Sequence, residues 1–229
     1  MPRTAVCLVF AAMPGIDELV YHLRPADGEP EGALVLLHGR GTSEYDLAPL
    51  LDELDPRGRL VGITPRGPLS LPPGGAHWYV VRQIGYPDPD TFFPVLEKLS
   101  SWFDALPELT GVPVERTVLG GFSQGTAMSY AVGLGEGRPR PAGLIALSGF
   151  IPTVEGFVID TDGLEGYPVA IGHGTFDPVI EVDFGRAARR RLEEAGADVT
   201  WRESPMPHMV DPAMVGELVP WVERVLPSG

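Results

Sequence analysis

Residues 115–134 read ERTVLGGFSQGTAMSYAVGL. The first eight residues lead into a short strand-like run, TVLGGF, suited to burial on both faces, and the rest are mostly small, helix-compatible residues. At the junction stands Gly121-Phe122-Ser123-Gln124-Gly125, a G-x-S-x-G. With 29 Gly in 229 residues, the five letters alone decide little, since about one chain in seven of this composition would carry them by accident. The setting decides more. A sharp strand-to-helix turn needs a residue without a side chain on either side, so that the two backbones can approach, and it lifts the serine hydroxyl clear of the sheet. Strand, turn and helix in that order make this stretch one unit of an α/β fold.

The same grammar continues on both sides. Residues 33–39 (ALVLLHG), 59–65 (RLVGITP), 143–149 (GLIALSG) and 168–174 (PVAIGHG) are short apolar runs bounded by Gly or Pro, as is 116–122. They predict strands buried on both faces of a mostly parallel sheet, with a last strand at 199–203 (VTWRE). Helical spacing falls between them. Phe92, Leu96, Leu99, Phe103 and Leu106 trace one face. Phe184, Ala188, Leu192 and Ala195 trace another, ended by Gly196. A final helix starts at Asp211-Pro212 and carries Met214, Leu218, Val222 and Leu226 on one stripe. The alternation predicts a single doubly wound α/β domain over residues 1–229, with helices on both faces of the sheet.

Residues 65–90 break the pattern. They are crowded with Pro and Gly and carry Trp78 and Tyr79. A connection of this length is either a stiffened surface excursion or a flap that walls a substrate pocket. Trp78 and Tyr79 are the pocket candidates. The apolar residues of this segment suit a second subunit as well as a substrate, so a homodimer is an open expectation.

Composition narrows the partners. The chain is 44% hydrophobic and 21% charged, ordinary for a globular domain, but carries 31 acidic against 17 basic side chains, a net charge of −14. Such a field repels nucleic acid and anionic membrane surfaces. The N-terminal apolar run, Ala5 to Met13, falls well short of the ~20 residues of a membrane helix and reads as an edge strand. The expectation is a cytoplasmic protein without stable membrane insertion. Cys7 is the lone cysteine, which excludes an intrachain disulfide and any multi-cysteine metal site. Asp160-Thr161-Asp162-Gly163 echoes the start of a calcium loop, but the remaining ligand positions do not follow, and no metal is expected.

Ser123 has company in the order nucleophile, acid, base. His173 and His208 are the histidines that follow it. His208 lies after the last predicted strand and just before the capped final helix, where a general base can reach the serine. Asp177 follows the strand at 168–174 and can orient the imidazole and stabilise the imidazolium formed on serine deprotonation. Each residue also has a plain alternative: Ser123 as a helix cap, Asp177 as a turn cap before Pro178, His208 as a loop histidine. An oxyanion would be held by the Gln124 amide at a helix start and by an amide of the loop after strand 33–39, with Arg40 the candidate. His38 sits too early for the triad and is expected to hold that loop by hydrogen bonding.

Together LLHGRG (36–41), LGGFSQGTAMS (119–129), IGHGTFDPVI (171–180) and MPHMV (206–210) resemble the phospholipase/carboxylesterase group of α/β-hydrolases, which includes carboxylesterases and acyl-protein thioesterases. The resemblance runs from about residue 33 to the end. It implies a cofactor-free serine esterase with Ser123 as nucleophile, His208 as base, Asp177 as its partner and oxyanion donation from the Arg40 and Gln124 amides. Two positions depart from the group: Val80 stands where an acid often follows the aromatic pair, and Thr126 replaces a usual glycine. The expected reaction is hydrolysis of carboxylic esters, short to medium acyl chains favoured, through an acyl-serine. The same triad would equally serve a thioesterase, lysophospholipase, perhydrolase or peptidase, and a catalytically silent ligand-binding α/β-hydrolase is the alternative from another class.

Overall fold

Five apolar runs and the VTWRE segment become six parallel strands. The structure, a computed structural model, describes residues 16–228; Cys7 and the edge strand expected at 5–13 lie outside the described residues. The central sheet contains β1 (Tyr21–Arg24), β2 (Gly32–Leu37), β3 (Leu60–Pro65), and, beyond the flap, β8 (Thr117–Phe122), β9 (Gly143–Leu147), β10 (Pro168–Gly174) and β11 (Asp198–Ser204). Their order across the sheet is β1-β3-β2-β8-β9-β10-β11. All neighbours are parallel except β1, which runs antiparallel to β3.

The helices are α1 (Ala48–Leu54), α2 (Pro89–Asp104), α3 (Leu106–Thr110), α4 (Gln124–Leu134), α5 (Val182–Glu194) and α6 (Pro212–Val225). Side chains of a strand alternate between faces, and β2 shows why its run is apolar throughout. Ala33, Val35 and Leu37 enter the core beneath α2, α4 and α5, whereas Leu34 and Leu36 enter the core beneath α1 and α6. Burial of both faces removes the polar half of the alternation. Helices therefore cover both faces, as the alternation predicts.

The stripe expected on the final helix is buried, with Met214, Leu218, Val222 and Leu226 each at most 1% exposed, while Leu96 and Phe184 of the other two stripes are half-buried and Leu106 opens α3. Asp211 and Asp88 each precede a proline and cap α6 and α2 by accepting the amides of Ala213 and Asp90. Gly196 takes the left-handed conformation, φ +89°, just past α5. The flap is ordered backbone: β4 (Leu69–Leu71) pairs with β5 (Gly75–His77), and β6 (Val81–Gln83) with β7 (Tyr86–Pro87), both antiparallel.

Candidate active site

Parallel strands all end on the same edge, and the loops leaving β2, β8, β9, β10 and β11 converge there. The turn from β8 into α4 puts Ser123 at φ 58°, ψ −117°, a conformation a non-glycine residue holds only when its surroundings force it. Two glycines supply that force. A Cβ on Gly125 would collide with the carbonyl oxygen of Leu37, and one on Gly121 with the backbone of Gly125. The Ser123 amide is fixed by donating to the Leu147 carbonyl of β9, at 2.9 Å.

The three residues singled out from their order along the chain meet here. The Ser123 hydroxyl lies 3.0 Å from His208 Nε2. His208 Nδ1–H donates to Asp177 Oδ2 at 2.6 Å, which leaves Nε2 as the acceptor for the serine proton. The other Asp177 oxygen accepts two backbone amides, Val179 and Ile180, each at 2.8 Å. Both oxygens of this buried carboxylate are thus engaged, and its side chain is fully covered. The Phe122 ring lies against the imidazole, with ring centroids 4.7 Å apart and planes tilted by 40°. Such a set can pass a proton from hydroxyl to imidazole while a fixed carboxylate holds the ring.

His173 does not join the chain of proton transfer. It is buried in β10, and Nε2–H donates to the Ile180 carbonyl at 2.9 Å, so it props the loop that presents Asp177. Burial lowers its pKa.

The loop after β2 reaches the serine through Gly39, where a Cβ would stand 3.5 Å from that of Ser123. Arg40 follows it, its side chain exposed. His38 holds this loop. Its Nε2 accepts the Gly67 amide at 2.9 Å, so Nδ1 carries the proton and donates to the Gly39 carbonyl at 2.7 Å. Gln124 is the first residue of α4, so its amide has no acceptor within the helix.

Trp78 and Tyr79 require a correction. Their side chains are 0% and 1% exposed and form part of the core, not an open pocket wall. Trp78 packs on the His38 ring at 5.1 Å and donates its indole N–H to the His38 carbonyl at 2.8 Å; Tyr79 meets Phe92 edge-on. Their main chain faces the site instead. Gln124 Oε1 accepts the Trp78 amide at 3.1 Å, and Gln124 Nε2 donates to the Tyr79 carbonyl at 2.9 Å. Sequence reasoning singled out the Gln124 amide and missed its side chain. The only available signal was an amide side chain placed beside the serine, and its partners are backbone atoms that carry no residue signature.

Sheet, helices and a serine at a strained strand-to-helix turn define the class: a serine hydrolase-type enzyme with the α/β-hydrolase fold. Within that class the chain belongs to the phospholipase/carboxylesterase family, whose sequence profile matches residues 22–225. Among its relatives, acyl-protein thioesterase 1 of Gibberella zeae is 28% identical over 89% of this chain and 94% of its own length. Acyl-protein thioesterase 1 of Cryptococcus neoformans is 31% identical over 90% of this chain and 97% of its own. The crystal structure of the Bacillus cereus carboxylesterase has the same fold, with a TM-score of 0.79 at 21% identity, covering 90% of this chain and 94% of that one. Among the described residues no helix is long and apolar enough to cross a membrane.

Proposed function

We propose that the protein hydrolyses carboxylic esters through an acyl-enzyme on Ser123. The observation that carries this reading is the continuous hydrogen-bonded series Ser123–His208–Asp177, at 3.0 and 2.6 Å. His208 takes the hydroxyl proton as the oxygen attacks the acyl carbon, and Asp177 stabilises the imidazolium. The amides of Gln124 and Arg40 receive the oxyanion, the first at a helix N-terminus that favours negative charge. Collapse of the tetrahedral intermediate returns the proton to the leaving group, and water then repeats the cycle on the acyl-serine.

A groove of about 250 Å³ lined by Tyr86, Phe150, Ile151, Thr153 and Phe184 opens on the segment that follows Gly149. Gly149 itself packs against the Ser123 carbonyl, and the groove on the segment that follows it is the space proposed for an acyl arm. Its size suits short to medium chains. Thioesters are the second reading, favoured by the names of the relatives, since an acyl thioester meets the same nucleophile and the same oxyanion donors.

Initial rates on p-nitrophenyl esters from acetyl to palmitoyl, beside matched acyl thioesters, test the reading. The expected result is a maximum at short or medium chains, with Ser123→Ala lowering turnover by about 10³-fold or more. Retention of more than a few per cent of activity in purified Ser123→Ala would overturn the nucleophile. A maximum at palmitoyl would overturn the assignment of the groove.

A further inference from the structure

Ala76, Trp78 and Tyr79 of the flap between them touch both sides of the serine. Ala76 is paired to the loop after β2: its carbonyl accepts the Gly41 amide at 2.8 Å and its amide donates to the Thr42 carbonyl at 2.7 Å. The Trp78 indole donates to the His38 carbonyl of the same loop at 2.8 Å. One residue step later the polarity turns toward the other side. The Trp78 amide and the Tyr79 carbonyl are both taken by the side chain of Gln124, at 3.1 and 2.9 Å, and the Tyr79 carbonyl also receives His77 Nδ1 at 3.1 Å. Gln124 is 4% exposed, so its amide group satisfies the flap and not solvent.

We infer that residues Ala76–Tyr79 are a brace that sets the separation of the two oxyanion donors, with the Gln124 side chain and the Trp78 indole as positioning residues. This inference rests on the acyl-enzyme reading above. The Arg40 amide belongs to the loop that Ala76 and Trp78 hold, and the Gln124 amide belongs to the residue whose side chain grips Trp78 and Tyr79. Each donor is therefore located through the same four residues. Preorganised donors stabilise developing charge without moving at the moment of reaction, and small misplacement is costly. The brace acts on the transition state and leaves ground-state binding of the acyl arm to other surfaces.

The test compares wild type with Gln124→Ala, Gln124→Glu and Trp78→Phe. The readouts are kcat and KM on the preferred p-nitrophenyl ester, and inhibition by an alkyl boronic acid that forms a tetrahedral adduct. The brace predicts a fall in kcat of about tenfold or more, with KM within about twofold of wild type and boronate affinity falling in step with kcat. Gln124→Glu keeps the acceptor for the Trp78 amide but sets an oxygen against the Tyr79 carbonyl. Its activity relative to wild type should rise as pH falls and the carboxyl acquires a proton to donate, a recovery that mere space-filling would not produce. Wild-type kcat and boronate affinity in all three variants, or a loss confined to KM, would overturn the brace. If Gln124→Ala fails to fold, the pH-dependent recovery of Gln124→Glu and the kcat of Trp78→Phe decide the matter by the same criteria. Absence of Ser123-dependent hydrolysis in wild type would instead overturn the function itself, and the brace with it.

Discussion

His38 and His173 are each 1% exposed, and burial lowers the pKa of both from the ordinary 6.5. The unfolded chain then binds protons at these residues in a pH range where the native protein does not. Stability linked to them is fully present above about 6.5 and falls as pH drops through the window between that value and the lower native pKa. Thermal or urea unfolding measured from neutral to mildly acidic pH should show this slope. His38→Gln, in which an uncharged amide replaces a ring that must stay neutral, should flatten it; an unchanged slope would show that other groups set the dependence. At this scale the chain was partly legible. That Ser123, Asp177 and His208 come together could be read in advance because the proposed nucleophile, acid and base each follow a strand, in an order that residue types reveal. The brace was not legible, because Trp78 and Gln124 act on carbonyls and amides common to every residue. Trp78 and Tyr79 suggested a pocket because an aromatic pair in a Pro-rich loop reads the same whether it faces inward or outward.

Thr126 joins the elements around the turn. Its hydroxyl accepts the Leu147 amide at 3.0 Å and lies 2.7 Å from the Gly121 carbonyl and 2.8 Å from the Leu147 carbonyl, so one side chain ties α4 to the ends of β8 and β9. Its Cβ and methyl fill the space beside Gly149. The departure from the usual glycine thus adds a buried polar junction. Thr126→Val keeps the shape and strands the Leu147 amide, and should cost about 1–3 kcal/mol in urea unfolding. A loss near zero would mean that water replaces the hydroxyl. The five inner parallel strands were legible because burial of both faces writes an unbroken apolar run, and α2, α5 and α6 because one apolar stripe recurs at helical spacing. β1 was not, since Tyr21–Arg24 is half-buried and mixes apolar with charged residues. The seven residues of α1 are too few to display a period, and the flap hairpins are two or three residues per strand.

Across the whole molecule the strands differ in how deeply they are embedded. β8, which leads to Ser123, lies between β2 and β9 and is buried along nearly all its length. β11, which leads to His208, is an edge strand among the described residues, hydrogen-bonded there to β10 alone, and most of its residues are half-buried. The segment after it is fastened by local ties. The Thr175 and Phe176 amides donate to the Ser204 and Met206 carbonyls, and Asp211 binds both Arg202 and Ser204. Ser123 and His208, the proposed nucleophile and base, therefore sit on supports of unequal strength. Warming should detach the base while the serine and its turn are still intact. Ester hydrolysis is then expected to fail reversibly a few degrees below the cooperative melt, with amides of β11 exchanging with deuterium sooner than those of β8. Coincidence of inactivation with melting would mean that the edge holds as firmly as the centre. The heat tolerance of this enzyme is in that sense a property of its outermost strand, and reinforcement of β11 is the route to extending its working range.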